Sequence, residues 1–248
     1  MKKLNIDHQK HLEYSKTAAK GLRKCLARKY DVNECDQLME QIDRKYEEFL
    51  DNLPYCGGKH NLMIWQLYDA ISAFAYWDVL PEKETVDEFK ESCGIIFGKD
   101  KPEKSLPHFL TIDSNGFLRL ARALIRRIGM KMNRELDSGH WEDGWHIEID
   151  VDQPQEGLQV ALVGCPIYNF AVKHGYENLM PAMCNWDFPG IGMIHSGLIR
   201  PQIVPNGDDR CDNWYVSAGS GMLKKYPPEL QKNGFIISKG WRGDEVHE

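Results

Sequence analysis

Three of the seven cysteines in this 248-residue chain stand where neighbouring residue types could activate a thiol. Cys165 lies in Gly164-Cys165-Pro166, at the predicted junction of a strand and a helix. A sulfur at a helix N-terminus meets unpaired backbone N–H groups and the positive end of the helix dipole. Both favour the thiolate, which is nucleophile and metal ligand alike. The same position also suits a small buried thiol at a tight junction. Cys184 opens Cys184-Asn185-Trp186-Asp187, and Cys211 sits between Arg210 and Asp212, so each sets a thiol near a carboxylate. Taken singly, such pairs serve structure as readily as chemistry. The spacings are wide, with no Cys-x-x-Cys and no His-x-x-x-His, so a zinc ribbon or a helical zinc-protease motif has no support. Distant loops can still build one site, because such sites are defined by geometry and not by chain order. On that ground Cys165, Cys184, Asp187 and Cys211 are expected to border one pocket.

A second resource is basic. Arg119, Arg122 and Arg126 recur at helical spacing, with Arg127, Lys131 and Arg134 beside them. They read as a solvated face or, more sharply, as a guanidinium fork for a substrate carboxylate. Arg210, beside Cys211, is another candidate for that role. Of the histidines, His146 falls on the polar side of a predicted strand, and His174 and His195 flank the Cys184 segment. His195 closes the flexible stretch Gly190-Ile191-Gly192-Met193-Ile194-His195 and is the candidate for moving protons. The Gly-x-Gly there lacks the third glycine and the preceding strand of a nucleotide-binding fingerprint.

The elements that must position these residues can be read from periodicity. A helical pattern covers residues 8–30. Residues 33–51 continue it with Asn33 as a cap and with Leu38, Ile42, Tyr46, Phe49 and Leu50 on one face. After the breaker Pro54-Tyr55-Cys56-Gly57-Gly58, Leu62 to Leu80 reads as a buried helix and Thr85 to Phe97 as a shorter one. Lys99 to Pro107 reads as a linker. Phe117, Leu120, Leu124, Ile128 and Met132 are expected to line the packed face of a helix over 112–137. The period then changes. Trp145 to Val151 alternates as a half-buried strand, and Leu158 to Val163 pairs with it in a hairpin. A short helix follows Pro166. Residues 198–204 and 212–216 read as further strands. The fold class is α+β: a helical N-terminal region over 1–105, packed on a mainly antiparallel sheet within an α+β region over 106–248 that carries the candidate site.

Composition bounds the function classes. The chain is 42% apolar and 27% charged, with net charge −6, which fits a globular protein and gives no bulk attraction to nucleic acid or anionic membrane. No apolar run reaches membrane-spanning length, and the first residues lack the apolar core of a secretory signal. With the odd cysteine number, this predicts reduced thiols and a cytoplasmic location. The expected partner is a small-molecule substrate, with homo-oligomerisation left open.

At the level of motifs the chain resembles a known family. Pro54-x-x-Gly57-Gly58-Lys59-x-Asn61 precedes the apolar helix. Cys165-Pro166-Ile167 follows, then Leu179-x-Pro181-x-x-Cys184-x-x-Asp187, then Gly207-Asp208-x-x-Cys211-Asp212. Over roughly residues 50–218 this pattern is similar to the L-2-amino-thiazoline-4-carboxylic acid hydrolase family. The resemblance implies a hydrolase that opens a cyclic amidine bearing a carboxylate: water adds to the ring carbon between S and N, the C–S bond breaks, and an N-carbamoyl-cysteine results. In one scheme Cys165 or Cys184 attacks the ring carbon while Asp187 or His195 moves protons, and no cofactor is required. In the other, Cys165, Cys184 and either Cys211 or Asp187 hold a divalent metal such as zinc, which supplies hydroxide. Arg119, Arg122, Arg126, Arg210 and Asp212 are the candidate substrate-binding residues. The C-terminal half also resembles the small-ligand-binding domain named after 4-vinyl reductase, which implies a sensor without turnover.

Overall fold

The computed structural model describes residues 14–99, 112, 115–152, 154 and 156–240. The first helix, α1 (Lys16–Leu26), starts at Ser15, whose side chain accepts from the Ala18 N–H. The part of the expected helix over residues 8–13 lies outside the described residues. Helix α2 (Val32–Asp51) is capped by Asp31, so Asn33 falls inside its first turn. The reason is a capping box: Asp31 accepts from the Glu34 N–H at 2.9 Å, and Glu34 accepts from the Asp31 N–H at 2.9 Å. Two donors without helical partners are satisfied at once, which a cap at Asn33 would not do. Leu38, Ile42, Tyr46, Phe49 and Leu50 are buried, as their spacing predicts. Helix α3 (Ile64–Val79) is buried on nearly all sides, and α4 (Val86–Ile96) starts at a second capping box, Thr85 with Glu88. Leu67, Ile71 and Phe74 of α3 are fully buried. Each contributes roughly 1.5–3 kcal/mol of burial free energy.

The linker expected over 99–107, and with it the division at residues 105 and 106, falls almost wholly outside the described residues. Helix α5 (Asn115–Asp137) follows, but a different face of it packs. Leu118, Ala121, Ile125, Ile128, Met132 and Leu136 meet Ile147, Leu158 and Val160 of the sheet. Leu120 and Leu124 are instead 67% and 54% exposed. Steps of four residues advance by about 40° beyond each full turn, so a stripe built on them drifts around the helix. Only its last members, Ile128 and Met132, stay against the sheet.

The sheet has four antiparallel strands in the order β1 (His146–Ile149), β2 (Leu158–Val163), β4 (Arg210–Ser217), β3 (Ser196–Ile199). The first strand is shorter than expected because Asp150 takes a left-handed backbone, φ 50°. The third lies earlier than 198–204, because residues 204–206 form a 3-10 turn and not a ladder. Helix α6 (Pro166–His174) follows Cys165 as expected. The short helices α7 (Met180–Cys184), α8 (Asp187–Gly192) and α9 (Met222–Lys225), with the hairpin β5 (Pro228–Leu230) and β6 (Ile236–Ser238), are additions to the expected set.

The chain is thus α+β, helical first and sheet-bearing second. Its largest core unites α1 to α4 with Trp145, Phe170, Met180 and Phe235 from the C-terminal half. Among the described residues, no helix is long and apolar enough to cross a membrane.

Candidate active site

Cys165 ends the β2 excursion and caps α6. Its sulfur accepts the Tyr168 N–H at 3.4 Å. The register places Cys211 opposite Leu162 on the neighbouring strand, and its sulfur accepts the Val204 N–H at 3.4 Å. Cys184 ends α7, one turn before Asp187 opens α8. No hydrogen bond is described at its sulfur, and the residue keeps partial exposure. The three thiols lie within electrostatic reach of one another.

The expected activation of Cys165 is outweighed. Burial dominates and pushes its thiol up to about 12, and nearby Cys211 adds to the rise. The Tyr168 and Ile167 N–H groups at the helix start pull only partly the other way. Burial likewise raises Cys211 to about 11, opposed by the Val204 N–H and Arg200. Cys184 is raised well above the ordinary thiol value, first by burial and also by Asp187, while Arg200 opposes. All three therefore rest as neutral thiols near neutrality.

Arg200, one residue past β3, was not among the expected site residues. It is 1% exposed. Its Nη1 donates to the Cys184 carbonyl at 3.1 Å and to Asp187 Oδ2 at 2.9 Å, and its Nη2 donates to the Ile236 carbonyl at 3.2 Å. Its Nε is buried with no hydrogen-bond partner among the described residues. The Phe188 ring stacks against it with Cζ 4.9 Å from the centroid. Lys99 Nζ reaches the other Asp187 oxygen at 3.6 Å and the Trp186 carbonyl at 3.1 Å. Asn185 ties this turn to the C-terminal hairpin, donating to the Gly234 carbonyl at 2.8 Å and accepting from the Ile236 N–H at 2.9 Å. A signal for Arg200 existed in the sequence: strand alternation puts it on the same face as the inward Leu198. Lys99 was hidden in an apparent linker.

The other expected residues are placed elsewhere. Arg122 bonds Asp150 at 2.7 Å and the Gly157 carbonyl at 2.5 Å, while Arg119 and Arg126 are exposed along α5. Arg210 and Asp212 project from the opposite face of β4 to Cys211. There Arg210 faces Glu148 and Asp212 at 3.7 Å each, and buried Asp212 accepts from Gln159 at 2.7 Å. His195 sits at φ 54° immediately before β3, and its carbonyl accepts the Ala218 N–H at 3.2 Å. Among the described residues, no three His, Cys, Asp or Glu side chains converge closely enough to hold a metal ion. The arrangement of Cys165, Cys184, Cys211 and Asp187 therefore does not fit a zinc site as it stands.

The Gly57–Asn61 motif shapes a loop. Asn61 donates to the Cys56 carbonyl at 2.8 Å and accepts from the Met63 N–H at 2.9 Å. Gly57 adopts φ 90° under Trp141, where a Cβ would come within 2.4 Å of the ring. Beside this loop Tyr55, His60, Lys131, Glu135 and His140 line an open cleft of about 440 Å³.

The fold and site define an α+β protein in which a buried arginine ties the Cys184–Asp187 turn to the C-terminal hairpin beside the sheet. The family model described as L-2-amino-thiazoline-4-carboxylic acid hydrolase matches residues 62–215, more than half of the chain, and the chain belongs to that family. That span contains α3, the whole four-stranded sheet except its last two residues, and every cysteine of the cluster. Neither a curated protein nor a solved structure matches the chain with significance.

Proposed function

We propose that the chain hydrolyses a small cyclic amidine bearing a carboxylate, of the 2-amino-thiazoline-4-carboxylate type, with Cys184 as nucleophile and Asp187 as the base that serves it. The supporting observation is the division of labour among the three sulfurs. Cys165 and Cys211 each accept a backbone N–H, whereas the Cys184 sulfur accepts none among the described residues and lies one turn from a half-exposed carboxylate. Because the thiol rests protonated, attack must be coupled to proton removal. The Cys184 sulfur bonds to the ring carbon and its proton passes to Asp187. The ring C–S bond breaks, and the departing sulfur takes that proton. Water then adds to the same carbon, one of its protons passing to the amidine nitrogen and the other to the departing Cys184 sulfur as that bond breaks, and N-carbamoyl-cysteine leaves.

The test is thiol release from 2-amino-thiazoline-4-carboxylate, measured over the protein background. Cys184→Ser should bind substrate but not turn it over, while Cys165→Ser, which keeps an oxygen acceptor at the α6 cap, should still release thiol. Full activity in Cys184→Ser overturns the covalent scheme. Binding without turnover across a panel of cyclic amidines, thioethers and lactams overturns the hydrolase reading in favour of a ligand-binding domain.

A further inference from the structure

Two cations grip one carboxylate beside Cys184. Arg200 holds one oxygen of Asp187 at 2.9 Å, and Lys99 faces the other at 3.6 Å. The pair carries one positive charge more than its partner. The burial of the two sides is also uneven: the Arg200 side chain is 1% exposed, the Asp187 side chain 51%. A guanidinium stays charged at any accessible pH, and taking it out of water is costly unless its donors are matched. Here Nε has no partner among the described residues. Asp187 thus shows how a carboxylate sits between these cations, and it can swing into solvent without itself being stripped of water.

We propose that Arg200 and Lys99 form the receptor for the substrate's carboxylate, and that Asp187 occupies the seat until substrate displaces it. This rests on the hydrolase reading and assigns it a recognition element. Displacement has a chemical consequence. Released from both cations, the Asp187 oxygens are free to accept the Cys184 proton when a ring carbon reaches the sulfur, so proton removal is coupled to occupancy of the receptor. On this proposal the substrate carboxylate is held without the arginines of α5, of which Arg122 is engaged by Asp150 and Arg119 and Arg126 are exposed.

The test uses calorimetry with two probes, 2-amino-thiazoline-4-carboxylate and the same ring without its carboxylate. The native protein should prefer the carboxylate about ten-fold or more, the scale of one charge-assisted pair. Lys99→Met should remove most of that preference and leave the affinity for the neutral ring unchanged. Arg200→Lys tests the buried member, and Lys99→Met decides the matter if that variant does not fold. Asp187→Asn, which empties the seat of charge, should bind the carboxylate at least as tightly as the native protein while losing kcat. Equal affinity for both probes in the native protein overturns the receptor, as does an Asp187→Asn variant that loses carboxylate binding. Turnover with an unchanged preference in Lys99→Met would retain the hydrolase and remove the receptor. Loss of the preference in Lys99→Met, in a protein that turns nothing over, would do the reverse.

Discussion

Gly94→Ala sets two effects against each other. Gly94 lies in α4, where alanine is favoured over glycine by about 1 kcal/mol. Against this, a Cβ at Gly94 would lie 2.2 Å from Trp186 Cζ2, 2.5 Å from Cη2 and 2.8 Å from Cε2. The ring cannot retreat freely, because its Nε1 donates to the Lys90 carbonyl at 2.6 Å. Overpacking of this kind costs about 1–3 kcal/mol, and losing the indole hydrogen bond costs about 0.5–1.5 kcal/mol more. The steric side wins, and the variant should be destabilised by about 0.5–3.5 kcal/mol. Urea unfolding reads this as a lower midpoint at unchanged slope. Gly192→Ala is the control. Among the described residues nothing lies within 4 Å of its added Cβ, so at this last position of α8 its stability should be unchanged or raised by up to about 1 kcal/mol. The effect should also reach the site, because the Trp186 carbonyl anchors Lys99 and Asp187 is the next residue. Displacing the ring should loosen this turn and speed alkylation of Cys184. A Gly94→Ala protein as stable as the native one, or more so, would refute the reasoning.

Three further outcomes follow from the site and the fold. At pH 8, Cys184 should be alkylated faster than the more deeply buried Cys165 yet slower than a free thiol, as peptide mass mapping can show; a faster rate than free cysteine would contradict its raised pKa. Thiols raised in the folded state give stability that is complete below the unfolded value of about 8.5 and is lost as pH rises toward the folded values. The melting temperature should therefore fall above that pH, and Cys165→Ser, which removes a thiol raised to about 12, should flatten the fall. Arg122→Ala should cost about 1–2 kcal/mol by denaturant unfolding, since it strips two part-buried bonds, whereas Arg119→Ala and Arg126→Ala should each stay within about 0.5 kcal/mol; equal costs for all three would remove the distinction.

The sequence by itself determined the elements whose signal is local. Alternation from Trp145 onward and over Leu158 to Val163 announced the β1–β2 hairpin, since side chains in a half-buried strand must alternate. Pro166 marked the start of α6, because its fixed backbone angle suits a first helical turn. The apolar run after Leu62 marked α3, and the Cys, Pro and Asp motifs marked the family. Boundaries set by exchanged side-chain bonds were less legible: Asp31 and not Asn33 caps α2, because the deciding partner is Glu34.

What only the tertiary structure decided is which charges meet. Arg122 and Arg119 are near neighbours on one helix, yet among the described residues only Arg122 finds a carboxylate, supplied by the turn after β1. Arg210 and Asp212 flank Cys211 in sequence but leave it on the other side of the sheet, because adjacent strand residues point opposite ways. Arg200, Lys99 and Asp187 come from three separate segments, and no spacing rule links them. The same holds for the thiols: a position at a helix start favours the thiolate, but burial under distant parts of the chain outweighs it. Desolvation and ion pairing depend on what surrounds a group in space, and that is fixed only when α4, α8, β3 and the C-terminal hairpin close around the same few residues.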